Sequence, residues 1–148
     1  MLTNTLKELF NRELVKLKQE LELYNDEENI WRVDKNILNS TGNLCLHLIG
    51  NLNTYLGAEL GGTGYIRNRP EEFSLKDVPR SELIFKLEQT IDVVDTVLES
   101  LSEDQLRKDY PQIVFERTLT TEFFLVHLAM HLSYHLGQVN YHRRLLDC

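Results

Sequence analysis

Apolar positions recur along this chain in steps of three and four, the period of a helix that buries one face. Phe10, Leu14, Leu17, Leu21 and Tyr24 make the first such stripe, and Thr5 with Glu8 three residues later has the form of a capping box. They predict a first helix over about residues 5–25, closed by the polar run NDEEN (25–29). A second begins at Asn39 or Ser40, both good N-caps, carries Leu44, Leu48, Asn51, Leu52, Tyr55 and Leu56 on one face, and runs to the breaker GGTG (61–64). The stretch YIRNRPEEFSLKDVP (65–79) shows no period and holds two of the three prolines, so residues 61–80 read as a long, partly ordered loop at a pocket mouth.

Ser81 opens the third helix, with Ile84, Leu87, Ile91, Val94, Leu98 and Leu101 at helical spacing, and the polar patch SEDQLRKDYP ends it at Pro111. QIVFERTLT (112–120) is β-prone but isolated, and a lone strand has nothing to pair with, so it reads as a connector. The fourth helix starts near Thr120 and runs almost to the end. Four long amphipathic helices and no internal repeat predict an all-α fold, a four-helix bundle.

Composition narrows the function. At 148 residues the chain is sized for one domain with a real core. A net charge of −7 excludes nucleic-acid and anionic-membrane surfaces, which need clustered Lys and Arg. The one basic cluster, His142, Arg143 and Arg144, reads as a helix C-terminus, where cations suit the dipole. Two cysteines make no disulfide framework: Cys45 reads as a small buried hydrophobe, Cys148 is the last residue. MLTNTLKELFNRE lacks a signal-peptide core, and no apolar run reaches the ~20 residues of a membrane span, so a cytoplasmic protein is expected.

Four of the five histidines lie in HLAMHLSYHLGQVNYH (127–142). With His131 as origin on a helical wheel, His127 and His135 fall about 40° to either side, and Phe124, Leu128, Gln138 and His142 share their face. That places them on the buried stripe, where imidazoles need partners. Imidazoles at i and i+4 stand about 5–6 Å apart at Cβ and can meet on one ion. His142, about 16 Å along the axis from His131, cannot. The local pairs are His127 with His131, or His131 with His135. A third ligand must come from elsewhere, and His47, near the face of Leu44, Asn51 and Tyr55 in the second helix, is the remaining histidine. Three neutral imidazoles leave coordination positions open and favour zinc, nickel, copper or iron over magnesium or calcium.

Simpler roles attach to several of these residues. Leu132 stands where the HExxH metalloproteases carry their base. His127 reads as a core or groove histidine, His142 as a helix-end cation, Tyr134 and Tyr141 as packing residues. Asn51 is a donor that braces a ligand or a polar cap on a pocket. Arg67 and Arg69 are expected to pair with Glu71 or Glu72 in a solvated loop; the alternative is a grip on an anionic group.

His47 with His131-Leu-Ser-Tyr-His135-Leu-Gly-Gln138, an HxxxHxGQ late in the last helix, resembles the DinB/YfiT-like superfamily of metal-dependent enzymes. HLIGNLNTYLGAELGGTGYIRNRPEEF (47–73) further resembles a DinB-like branch with no assigned reaction, in which HL-GNL precedes a loop with RxR and EF. The resemblance covers most of the chain. It implies one DinB-like domain over 1–148, up-down-down-up order and a homodimer. It selects His47, His131 and His135 as ligands and leaves His127, with Asn51, Tyr55 and Gln138, as pocket or supporting residues. It implies a divalent transition metal, zinc or nickel before iron, and a small-molecule substrate. Some relatives are S-transferases or isomerases that use low-molecular-weight thiols such as bacillithiol or mycothiol. The chain departs from the pattern where many relatives carry a further His: Tyr134 stands there. No acidic residue adjoins the ligands as a base, and Glu59 and Glu122 are candidates by elimination only. A metal-dependent transferase or hydrolase is thus weighed against a non-catalytic dimeric stress or binding module with an inherited or structural metal, and against a metal-free bundle whose histidines bond one another.

Overall fold

The computed structural model describes residues 1–148. Its helices are α1 (Leu2–Leu23), α2 (Thr41–Leu52), α3 (Arg69–Ser74), α4 (Arg80–Ser100), α5 (Glu103–Arg107) and α6 (Thr121–Leu146). A 3-10 turn spans Glu27–Trp31, and a π-helical turn, Asn53–Ala58, prolongs α2. The long helices form a bundle in which α1 and α2 each pack on both α4 and α6. The α1 stripe is fully enclosed: Leu6, Phe10, Leu14, Leu17 and Leu21 belong to one apolar cluster with Leu44, Leu48, Leu52, Leu83, Leu87, Leu128 and Leu132. Burying each such side chain contributes about 1.5–3 kcal/mol before conformational entropy is subtracted.

The boundaries differ from expectation for local reasons. α1 starts at Leu2 with Met1 as cap, and no Thr5–Glu8 capping box forms, because Leu6 carries the buried stripe one turn further back. NDEEN runs into the 3-10 turn, with the Asp26 carboxylate accepting from Glu28 N–H. That turn lays Trp31 across the start of α2: a Cβ on Gly42 would fall 2.6 Å from three of its ring atoms. Ser40, not Asn39, caps α2 and accepts from Asn43 N–H at 3.1 Å. The loop after GGTG holds a real helix, α3, started by the Asn68 cap and Pro70. The polar patch after α4 folds into α5 with a Ser102–Gln105 capping box. QIVFERTLT forms no strand; Asp109 with Thr120 and Val114 with Arg117 make isolated bridges. No helix is long and apolar enough to cross a membrane.

His142 is not a helix-end cation. It is buried, with Nδ1 2.6 Å from the Tyr24 hydroxyl and Nε2 2.8 Å from the Arg32 carbonyl. The carbonyl only accepts, so Nε2 carries the proton, and neutral Nδ1 accepts from Tyr24. Burial holds its pKa below the usual value, with the Arg32 hydrogen bond opposing in part. Between that depressed pKa and about 6.5 the unfolded chain binds the proton that the fold refuses. The stabilisation is therefore complete above that range and lost as pH falls through the folded-state pKa. Urea midpoints at pH 7 and pH 5 are expected to fall less in His142→Gln than in wild type; equal falls would free His142 of the effect.

Candidate metal centre

α2 and α6 face each other where His47, one turn and a half into α2, meets the His131–His135 edge of α6. Nε2 of His131 lies 3.3 Å from Nε2 of His47 and 3.1 Å from Nε2 of His135. All three ligand atoms lie within 4.8 Å of one another. Two imidazole nitrogens bound at about 2.0–2.1 Å to one tetrahedral ion stand about 3.3 Å apart, so the spacing fits a first-row metal. His131 and His135 sit at the half-buried margin of α6, not in its fully buried stripe, which runs through Leu125, Leu128, Leu132, Leu136 and Val139. A position at the margin keeps His131 beside a cavity that His47 also lines.

The outer nitrogens decide which tautomers are present. His47 Nδ1 is 3.1 Å from Glu72 Oε1, so Nδ1–H donates to the carboxylate and Nε2 keeps its lone pair. His135 Nδ1 is 2.7 Å from Gln138 Oε1, which frees its Nε2 in the same way. His131 Nδ1 is buried with no hydrogen-bond partner. Burial, followed by the neighbouring His135 and His47, pushes the His131 pKa down to about 4, and burial lowers His47 as well. Both rings are neutral at pH 7, the form that binds a metal. His131 Nε2 lies 3.1–3.3 Å from the Nε2 atoms of His135 and His47, a spacing bridged by a neutral His131 Nε2–H or by a cation, and the outer partners of His47 and His135 turn their free Nε2 atoms toward that point. The residues therefore fit a divalent ion.

Sequence reasoning names Glu72 only as a solvated partner of the loop arginines and misses its place against His47. Glu72 lies in α3, 6% exposed, and its carboxylate takes Arg67 Nε at 2.8 Å and Nη2 at 2.9 Å besides His47. Asn43, one turn before His47, holds it by donating Nδ2 to the Glu72 and Leu75 carbonyls at 2.9 Å each. The loop thus does pair Arg67 with Glu72, but in a buried cluster that orients His47. An ideal Cβ on Gly50 would fall 1.9 Å from Glu72 Oε2; glycine lets the carboxylate lie against α2. Gly50→Ala is therefore expected to weaken zinc binding about tenfold by displacing Glu72, although alanine favours the helix itself. Competition with a chromophoric chelator reads this, and an unchanged affinity would show Glu72 to be unimportant for His47.

A cavity of about 450 Å³ opens beside the histidines, walled by His47, Asn51, Tyr55, Arg67, Arg69, Phe115, Phe124, His127 and His131 among others. Asn51 is 6% exposed and its Oδ1 has no partner. Tyr55 lies on the π-helical turn, which frees its carbonyl for the Tyr110 hydroxyl at 2.7 Å. His127 lies outside the ligand group, 4.8 Å from Phe115 and 6.0 Å from Phe124 between ring centroids. Gln138 is exposed and reaches the site only through His135. Neither acid named by elimination lines the cavity: Glu59 bonds Gln112, and Glu122 is exposed at the start of α6. Cys45 is fully buried, its thiol pushed up to about 12.

Fold and site together define an all-helical bundle protein with a three-histidine group suited to a metal ion between facing helices. The chain belongs to the family described as protein of unknown function, DUF1572, whose profile matches residues 3–147. Its fold is similar to that of a conserved protein from Enterococcus faecalis, with a TM-score of 0.75 over 97% of this chain and 96% of that one at 19% identity. No curated protein matches the chain.

Proposed function

We propose that the chain is a metal-dependent enzyme of the DinB/YfiT-like type, built as an up-down-down-up bundle, with His47, His131 and His135 as ligands for zinc, nickel or iron and a small molecule as substrate. The observation that carries this reading is the convergence of three Nε2 atoms while Glu72 and Gln138 hold the outer nitrogens of two of them. A bound divalent ion supplies Lewis acidity and lowers the pKa of a water or thiol beside it. Phe115, Phe124 and Tyr55 give the cavity aromatic surface for a substrate, and Arg67 and Arg69 add guanidinium groups to its lining.

The choice between transfer and hydrolysis rests on one further observation. No Asp or Glu lines the cavity, so no carboxylate base is at hand for activating water. A low-molecular-weight thiol asks less of a base, since it starts near pKa 8.5. Transfer from such a thiol is the reading supported best. The test is metal-loaded protein given bacillithiol, mycothiol or glutathione with an electrophile, beside ester and amide substrates. Thiol-dependent turnover that disappears with chelation and in His47→Ala supports it. Metal loading without turnover on any of them would favour the non-catalytic module.

A further inference from the structure

The segment around α3 sorts its charges between two cavities. Arg67 and Arg69 line the cavity beside the histidines. Glu71 and Glu72 line a different one, of about 500 Å³, that faces α4 through Lys86, Gln89 and Thr90. In a chain of 23 acidic and 16 basic residues, the histidine cavity is thus lined by two guanidinium groups and by no carboxylate. Arg69 forms no ion pair. Its guanidinium lies 5.4 Å over the Phe73 ring, which stands 5.1 Å from the His47 ring. Arg67 lies 5.9 Å over the Tyr55 ring, gives Nε and Nη2 to Glu72 and leaves Nη1 unbonded. Asn51 lines the same cavity at 6% exposure, with an Oδ1 that has no partner. A buried polar group without a partner is costly, so an amide kept there points to a partner that arrives with a ligand.

We propose that the molecule this cavity takes is a small organic anion, with a carboxylate or phosphate group on Arg69 and the unbonded edge of Arg67, an apolar part against Phe115 and Phe124, and a hydroxyl at Asn51. The inference rests on the enzyme reading only for calling that molecule the substrate. A guanidinium laid over an aromatic ring keeps its N–H edge for a carboxylate or phosphate. Its orientation is set before the ligand arrives, which lowers the cost of binding. The apolar wall is also built deliberately. Phe115 and Glu116 hold φ at 53° and 59°, the left-handed region that bulky side chains rarely adopt, and such strain gathers at ligand sites. That turn brings the Phe115 ring within 4.8 Å of the His127 ring.

Other ligand classes suit the cavity less well. A neutral molecule gains nothing from Arg69, and a cation meets two guanidinium groups with no carboxylate to offset them inside the cavity. A long polyanion needs a basic surface beyond the cavity, and this chain carries −7. At about 450 Å³ the cavity is sized for one small molecule.

The test is ligand-observed NMR titration of the metal-free full chain with phenylacetate, its neutral counterpart phenylacetamide, mandelate and phenyl phosphate. Leaving the metal out removes its own attraction for anions and makes the result independent of turnover. Phenylacetate is expected to bind about tenfold tighter than phenylacetamide, a preference that shrinks as salt rises. Arg69→Met keeps an apolar stem against Phe73 and is expected to erase the preference, whereas Arg69→Lys should keep part of it. Mandelate adds a hydroxyl and should bind tighter than phenylacetate. Asn51→Leu should remove that gain and unfold at or above the wild-type temperature, because the amide oxygen has no partner to lose. Phenyl phosphate binding tighter than phenylacetate would assign a phosphate to the arginines, and the reverse order a carboxylate. Equal binding of acid and amide, no binding of any probe at millimolar concentration, or an Arg69→Met protein that still prefers the acid would overturn the proposal. A chain that meets these expectations yet turns over no substrate when loaded with metal would keep the anion site and lose the enzyme.

Discussion

His131→Ala is expected to reduce zinc affinity by at least about a hundredfold, more than loss of a supporting residue, for which 10–100-fold is usual. His131 is the shared member of the centre: its Nε2 lies within 3.3 Å of both other ligand atoms. Without it, one ligand is left on each of two helices. The variant should fold. The bundle is held by a 30-residue apolar cluster that contains none of the three histidines, and the substitution removes a buried Nδ1 that has no partner. Metal-free His131→Ala should unfold at or slightly above the wild-type temperature, whereas added zinc should raise the wild-type midpoint and leave the variant unmoved. Zinc stabilising both equally would place the binding elsewhere.

The second large effect belongs to Glu72. Glu72→Ala leaves the Arg67 guanidinium, 15% exposed, without its carboxylate and frees the His47 ring to turn. Breaking such a pair is expected to cost about 3 kcal/mol. Glu72→Gln keeps the shape and an acceptor oxygen but not the charge, and should lose less stability. Both are expected to weaken metal binding about 10–100-fold through His47. Urea unfolding of the metal-free variants, beside chelator competition, separates the two losses. A Glu72→Ala protein as stable as wild type would mean that water serves Arg67 as well as the carboxylate does.

The contrast between these residues shows what periodicity can and cannot reveal. His131 and His135 are four apart on a long helix, and with five histidines in the chain the third ligand has one source. Helix geometry alone places His127, His131 and His135 on one face and leaves two i, i+4 pairs open; the resemblance, not the spacing, selects His131 with His135. A wheel centred on His131 sets them too far into the core, because the buried stripe runs through Leu128, Leu132 and Leu136. Glu72 lies out of reach of periodicity, since it comes from a segment with no period and meets His47 across 25 residues. Its signals are local: Asn68, Pro70 and two acids announce a helix start, and Gly50 stands in an otherwise bulky run one turn from His47. The widened turn at Asn53–Ala58 has no signature of its own; it answers to Tyr110, which takes the Tyr55 carbonyl from another part of the chain. His142 reads as a helix-end cation in the sequence because its two partners, Tyr24 and the Arg32 carbonyl, lie more than a hundred residues away.

The measurement that tests the account most directly is the metal content of untagged protein after dialysis against zinc, nickel or ferrous iron, with a His47→Ala, His131→Ala double variant beside it. The account predicts about one ion per chain in wild type, in a three-imidazole site, and none in the variant. No ion in either would contradict it and leave a metal-free bundle in which His131 bonds His47 and His135.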